Sequence, residues 1–112
     1  NTTADSNTAV GRDSLAANTT GHSNVAVGMS SAGDATTAVG NTCVGYYAGD
    51  ACTTGGTNTC IGYQAGGYTG LTNSITTGTE NVIIGTNVIP SASDANRQIV
   101  IGYDLQEMEI VK

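Results

Sequence analysis

The sequence predicts an all-β solenoid of about six 17-residue coils, and three observations carry that expectation. Gly11, Gly28, Gly45, Gly62, Gly85 and Gly102 stand 17, 17, 17, 23 and 17 residues apart. Each closes a stretch of similar sequence, which is the mark of a repeat architecture. The unit is too short for the common two-helix repeats, and its apolar residues lack helical spacing. Thr, Val, Ile, Asn and Gly dominate instead, as strands joined by turns require.

Taken in order, the first unit is Asn7-Thr-Ala-Val-Gly11 and the second Asn24-Val-Ala-Val-Gly28. In an extended segment alternate side chains share a face, so Thr8 and Val10 point one way and Asn7 and Ala9 the other. The third and fourth units, Asn41-Thr-Cys-Val-Gly45 and Asn58-Thr-Cys-Ile-Gly62, put Cys43 and Cys60 where the earlier ones have Ala9 and Ala26. The fifth, Asn81-Val-Ile-Ile-Gly85, and the sixth, Gln98-Ile-Val-Ile-Gly102, turn aliphatic at both positions. Stacking the units makes one column of Val10, Val27, Val44, Ile61, Ile84 and Ile101. The other face carries Ala9, Ala26, Cys43, Cys60, Ile83 and Val100, so both faces of the strand are apolar. Coils stacked about 4.8 Å apart would reach roughly 29 Å for six.

The glycine that ends each unit predicts a corner, where a residue without Cβ takes positive φ or lets a neighbouring backbone approach. Thr19-Thr-Gly21, Thr36-Thr37, Thr53-Thr-Gly55 and Thr76-Thr-Gly78 fall at matching offsets and predict a second corner. The 23-residue interval places a six-residue insertion within Tyr68 to Ile75, most cheaply as a looped-out turn that displays specificity groups. The repeat domain is expected over 1–105, followed by a strand-like run over 106–112 that has left the repeat. Without an initiator Met or a signal sequence, the chain reads as a fragment of something longer.

Composition narrows the function. Leu, Ile, Val and Phe make up 20 of 112 residues, a share that by itself leans toward disorder, and the periodicity overrules it. Phe and Trp are absent and five tyrosines are the only aromatics, so the core is expected to be thin. A net charge of −6, with Arg12, Arg97 and Lys112 as the fixed cations, argues against a nucleic-acid partner. No run approaches the roughly 18 apolar residues of a spanning helix, so membrane insertion is not expected.

Cys43 and Cys60 sit one coil apart with Cys52 between them. Buried small hydrophobes in place of alanine is the preferred reading; a disulfide, with Cys52 or another chain, and a metal site are the others. No cofactor is expected. His22 could be paired on paper with Ser14 or Ser23, but no G-x-S-x-G elbow exists, and the chain reads as no enzyme. Asp13, Asp34, Asp50, Glu80 and Asp94 fall at different ranks and predict no carboxylate ladder. Tyr46, Tyr63 and Tyr103 directly follow corner glycines, at the rank that Arg12, Met29 and Thr86 fill elsewhere. With Tyr68 of the insertion they are candidates for carbohydrate or protein contact, or for covering a corner or subunit seam. The column Asn7, Asn24, Asn41, Asn58 and Asn81 reads as structural, its amides bonding along the stack or to turn backbone. An ice-binding solenoid is a minor alternative. It would need threonines in register on one flat side, whereas Thr19-Thr20 and Thr36-Thr37 are adjacent and so face opposite ways. The sequons Asn1-Thr-Thr3 and Asn18-Thr-Thr20 matter only in a eukaryotic secretory pathway.

The unit Asn7-Thr-Ala-Val-Gly-Arg-Asp-Ser-Leu15, repeated as Asn24-Val-Ala-Val-Gly-Met-Ser-Ser-Ala32, resembles the head repeats of trimeric autotransporter adhesins and the β-solenoid shafts of phage tail fibres. Asn96-Arg-Gln-Ile-Val-Ile-Gly-Tyr103 resembles the end of such shafts, after which a self-cleaving chaperone domain often follows in phage fibres. The likeness covers about Asn7 to Gly102. The 17-residue unit and the aliphatic Asn81 unit favour the fibre over the adhesin. Both resemblances imply a homotrimer on a cell or virion surface that spaces or presents a receptor-binding tip, and self-association would also cover the second apolar face. The expected function is thus a shaft or head segment of an extracellular or virion fibre, involved in host or surface attachment. The alternatives are a glycan-binding adhesive module with a host-surface glycan or protein as partner, and a subunit of an open filament.

Overall fold

A computed structural model describes residues 4–104; the strand-like run expected over 106–112 lies outside the described residues. Six strands follow in order: β1 (Thr8–Val10), β2 (Val25–Val27), β3 (Thr42–Val44), β4 (Thr59–Ile61), β5 (Val82–Thr86) and β6 (Ile99–Tyr103). They form one sheet in the order β1-β2-β3-β4-β5-β6, every neighbour parallel. Equivalent residues pair directly, Ala26 with Cys43, Cys43 with Cys60 and Cys60 with Ile83. The protein is a β-solenoid of about six turns, with principal extents of 37 × 23 × 21 Å. Among the described residues there is no helix long and apolar enough to cross a membrane.

Left-handed backbone at fixed ranks bends each coil. The corner glycine Gly11 has φ of 123°, and a Cβ there would lie 2.7 Å from the Gly28 carbonyl carbon of the next coil. The residue before the asparagine is also left-handed, at Ser23 (58°), Thr57 (55°) and Glu80 (61°), as is Arg97 (59°) before Gln98 at the same rank. A side chain in that region costs on the order of 1 kcal/mol. The coil beneath supplies a compensating bond: Thr57 N–H donates to the Val39 carbonyl at 2.8 Å and Arg97 N–H to Thr79 at 3.0 Å. At the opposite corner the N–H groups of Thr53, Thr54 and Gly55 converge on the Thr76 carbonyl at 3.0, 3.3 and 3.1 Å, a backbone nest filled by the next coil.

The structure decides which strand face is inside. Ala26, Cys43, Cys60, Ile83 and Val100 are buried in a single apolar cluster, while Val10, Ile61 and Ile101 on the opposite face are 57%, 38% and 47% exposed. Small residues face one another across the thin interior. A Cβ on Gly49 would lie 2.5 Å from Cys43 Sγ, and one on Gly66 would lie 2.9 Å from Cys60 Sγ. Coil two, which has Ala26 on the strand, has Ala32 at the rank of Gly49. Thus in coils two to four the larger strand side chain is matched by the smaller partner.

The asparagine column lies inside, at the start of each strand. Asn24 Oδ1 accepts the Asn41 N–H at 2.9 Å, Asn41 Oδ1 the Asn58 N–H at 2.8 Å, and Asn58 Oδ1 the Asn81 N–H at 3.0 Å. Asn81 Oδ1 passes the pattern to the Gln98 N–H at 2.9 Å. Each amide also crosses its own coil: Asn7, Asn24, Asn41, Asn58 and Asn81 donate to the carbonyls of Gly21, Ala38, Gly55, Gly78 and Ala95. These bonds tie the strand to the threonine corner.

Residues 67–74 stand where the preceding coil has Asp50 and Ala51, a net insertion of six, and Ile75 is not part of it. Ile75 is fully buried and fills the rank of Cys52, and its N–H closes the loop on the Gly66 carbonyl at 2.8 Å.

Candidate functional site

The tyrosines gather where the glycine corner meets the insertion. Tyr46 and Tyr63, one coil apart, stack with ring centroids 5.0 Å apart and planes 11° from parallel. Tyr47 meets Tyr46 edge-on at 4.6 Å and reaches Tyr68 of the insertion at 6.1 Å. Desolvation first, then the neighbouring Tyr47 and Tyr63, raise the Tyr46 hydroxyl above its ordinary pKa. Tyr103 stands apart: it pairs in register with Thr86, which interrupts the tyrosine column, and is 75% exposed. At the other end of the column the Arg12 guanidinium lies 3.1 Å from Met29 Sδ. Three of the four sequence candidates are therefore brought into one aromatic chain, through Tyr47, which stands one residue beyond the tyrosine rank.

The insertion folds back along the stack. Thr69 N–H donates to Asp50 Oδ2 at 3.2 Å, and the Thr69 hydroxyl bonds the Asp34 carboxylate. Ser74 Oγ caps the loop from within on the Tyr68 carbonyl at 2.9 Å. Asp34 and Asp50 make no ladder, as their different ranks require, yet they are neighbours on adjacent coils, the Asp34 N–H donating to the Asp50 carbonyl at 3.0 Å, and Thr69 bonds both side chains. Burial raises the Asp50 carboxyl; the Thr69 N–H opposes this and Asp34 adds to it.

Between the loop and the last three coils lies a cleft of about 150 Å³, lined by Gln64, Tyr68, Leu71, Asn87, Ile89 and Asp104. Gln64, Asn87 and Asp104 share one rank, two residues after the corner glycine, and all are left-handed at 57°, 54° and 49°. Their N–H groups bond the preceding coil, to Tyr46, Tyr63 and Thr86 carbonyls at 2.8, 2.9 and 2.6 Å. The backbone is thereby pinned and the side chains are turned out. A signal was present in the sequence, since the three polar residues recur at one rank beside the insertion.

Other reactive groups are placed as follows. Cys43, Cys52 and Cys60 are buried free thiols. Burial first, then Cys43, pushes the Cys52 thiol up to about 12 against the lowering effect of the Asn58 and Asn41 amides, and the Cys60 thiol is raised by Cys43 and by burial. Among the described residues no three His, Cys, Asp or Glu side chains gather as a metal site. His22 is exposed with Nδ1 3.2 Å from Ser23 Oγ, whereas Ser14 Oγ is engaged by the Ala26 carbonyl at 2.9 Å. The paired threonines divide: Thr36 and Thr53 Oγ1 bond the next coil's carbonyl at 3.2 and 3.3 Å, while Thr37 and Thr54 face solvent.

Comparison with known protein families, curated proteins and solved structures finds no match to this chain.

Proposed function

We propose that this solenoid is a non-enzymatic, load-carrying segment of an extracellular or virion fibre, a shaft or head of the tail-fibre or adhesin kind, and that it works as a homotrimer in attachment to a host or surface. The observation that carries this reading is the outer sheet face. Val10, Val25, Ile61 and Ile101 are 57%, 38%, 38% and 47% exposed on one continuous side of a parallel sheet, and parallel sheets are normally covered on both faces. Six strands about 4.8 Å apart and about 10 Å wide present a flat outer face of about 300 Å², aliphatic apart from Thr8, Thr42 and Thr59, within the range of the largest patches on monomers, which are often functional. Copies of the same chain fit it, because every coil presents the same pair of outward ranks and a parallel partner meets them in register. Direct coil-to-coil hydrogen bonding at both corners makes each protomer a stiff rod, as a spacer requires.

The test compares Val44→Asp, on the outer face of β3, with Asp50→Ala under the insertion loop. Val44→Asp is expected to shift the mass to monomer while retaining the β spectrum, and Asp50→Ala to leave assembly unchanged. Unchanged assembly of Val44→Asp would defeat the trimer reading.

A further inference from the structure

The geometry points to the cleft beside the insertion loop as a binding site for a single neutral sugar ring, a hexose or N-acetylhexosamine at the end of a glycan. This goes beyond the fibre reading and does not depend on the oligomeric state. The first argument is the donor set. Gln64 and Asn87 each bring an amide with donors and an acceptor, and Asp104 brings a carboxylate that accepts from hydroxyls. Among the described residues none of these three side chains has a hydrogen-bonding partner within the protein, so their polar groups are free for a ligand's hydroxyls.

The second argument is placement. The three residues stand one coil apart, about 4.8 Å, on backbone pinned by the coil beneath. Neighbouring members of the column therefore address hydroxyls at different positions of one ring. Preorganised groups of this kind lose little freedom on binding. The third argument is the loop: Tyr68 and Leu71 offer apolar surface to the C–H face of a sugar while the column takes its polar edge, and Ile89, 2% exposed, adds little to it.

Size and charge select among ligands. A volume of about 150 Å³ equals about five waters, enough for one edge of a single ring, with the rest of that ring and any chain beyond it standing in the open side. No cation lines the cleft and Asp104 does, in a protein of net charge −6, so sialic acids, uronic acids and phosphates are rejected. The loop that forms the apolar wall is held by Thr69 on Asp34 and Asp50. Thr69 is thus a positioning residue for the wall and does not line the cleft.

The test is a titration of isotopically labelled protein with glucose, galactose, mannose and N-acetylglucosamine, with N-acetylneuraminic acid as the anionic control, following the side-chain amide signals of Gln64 and Asn87. Saturable shifts at both amides with at least one neutral sugar and none with the anion are expected, at affinities of millimolar order for so small a ligand. Asn87→Gly keeps the left-handed backbone and removes the amide; it should weaken binding about tenfold. Gln64→Gly supplies the same reading should that variant not fold. Thr69→Val should weaken binding less than either while leaving the Gln64 and Asn87 signals of the free protein in place. Absence of saturable shifts with every neutral sugar, or binding unaltered in the folded glycine variants, would overturn the assignment.

Discussion

The Asn41 side-chain oxygen accepts the backbone N–H of Asn58 at 2.8 Å, one coil further along the axis, while the same amide donates to the Gly55 carbonyl at 2.8 Å. One buried side chain thus fixes the spacing between two coils and the width of its own. Asn41→Ala leaves the buried Asn58 N–H without an acceptor and the Gly55 carbonyl with only the Cys52 thiol as donor, and should cost about 1–3 kcal/mol. Asn41→Asp keeps the acceptor but sets a buried anion against the Gly55 carbonyl. Its folded-state pKa is expected to be raised, so stability should return as pH falls through that value. Denaturant titrations of both variants across pH check this; an alanine variant as stable as the parent would remove the ladder from the list of what holds the fold.

Cys43 and Gly49 form a size-matched pair across the interior, as Ala26 and Ala32 do in coil two. Gly49→Ala alone should cost about 1–3 kcal/mol through crowding against Cys43 Sγ. Adding Cys43→Ala reproduces the coil-two pair and should recover about 1 kcal/mol relative to additivity. A double-mutant cycle by chemical denaturation measures the coupling, and strict additivity would show that the two positions do not share space.

The Asp50 carboxyl is raised above the ordinary aspartate value, by burial first. The folded state then binds the proton more tightly than the unfolded chain, so this group favours folding below the ordinary aspartate range. That contribution is lost as pH rises to the raised value. Asp50→Asn retains an acceptor for the Thr69 N–H. It should therefore gain on the parent at neutral pH and not in acid. Parallel melts at the two conditions read the difference, and an equal gain at both would place the titration elsewhere.

The three thiols should be silent in the folded protein. With Cys52 at about 12 and Cys60 raised, neither is a thiolate near neutral pH, and all three are buried. A disulfide-exchange reagent is expected to label none before unfolding and three after it. Rapid labelling of one thiol in the native protein would mean an open route into the core.

The periodicity of Gly11 through Gly102 made the solenoid legible, because a glycine corner and a strand of alternating faces leave direct marks on sequence. Which strand face is inside was not legible. Both faces are apolar, and the answer depends on the turn chirality set by left-handed residues such as Ser23, Thr57 and Arg97, which are not glycines. The asparagine ladder was readable as a structural column, though its bonds across the coil to Gly55 and Gly78 needed the second corner in place. At the candidate site, the rank rule found Tyr46, Tyr63 and Tyr103. It missed Tyr47, Gln64 and Asn87, whose roles arise from an insertion folding over coils distant in sequence. The contact of Thr69 with Asp34 follows no period and leaves no pattern to find.

The exposed aliphatic column from Val10 to Ile101 is the point on which the account turns, and the solution mass of the purified chain addresses it most directly. Light scattering paired with negative-stain microscopy is expected to give a discrete trimer, a rod a few nanometres long. A well-folded monomer that persists at high concentration, or filaments of indefinite length, would contradict it.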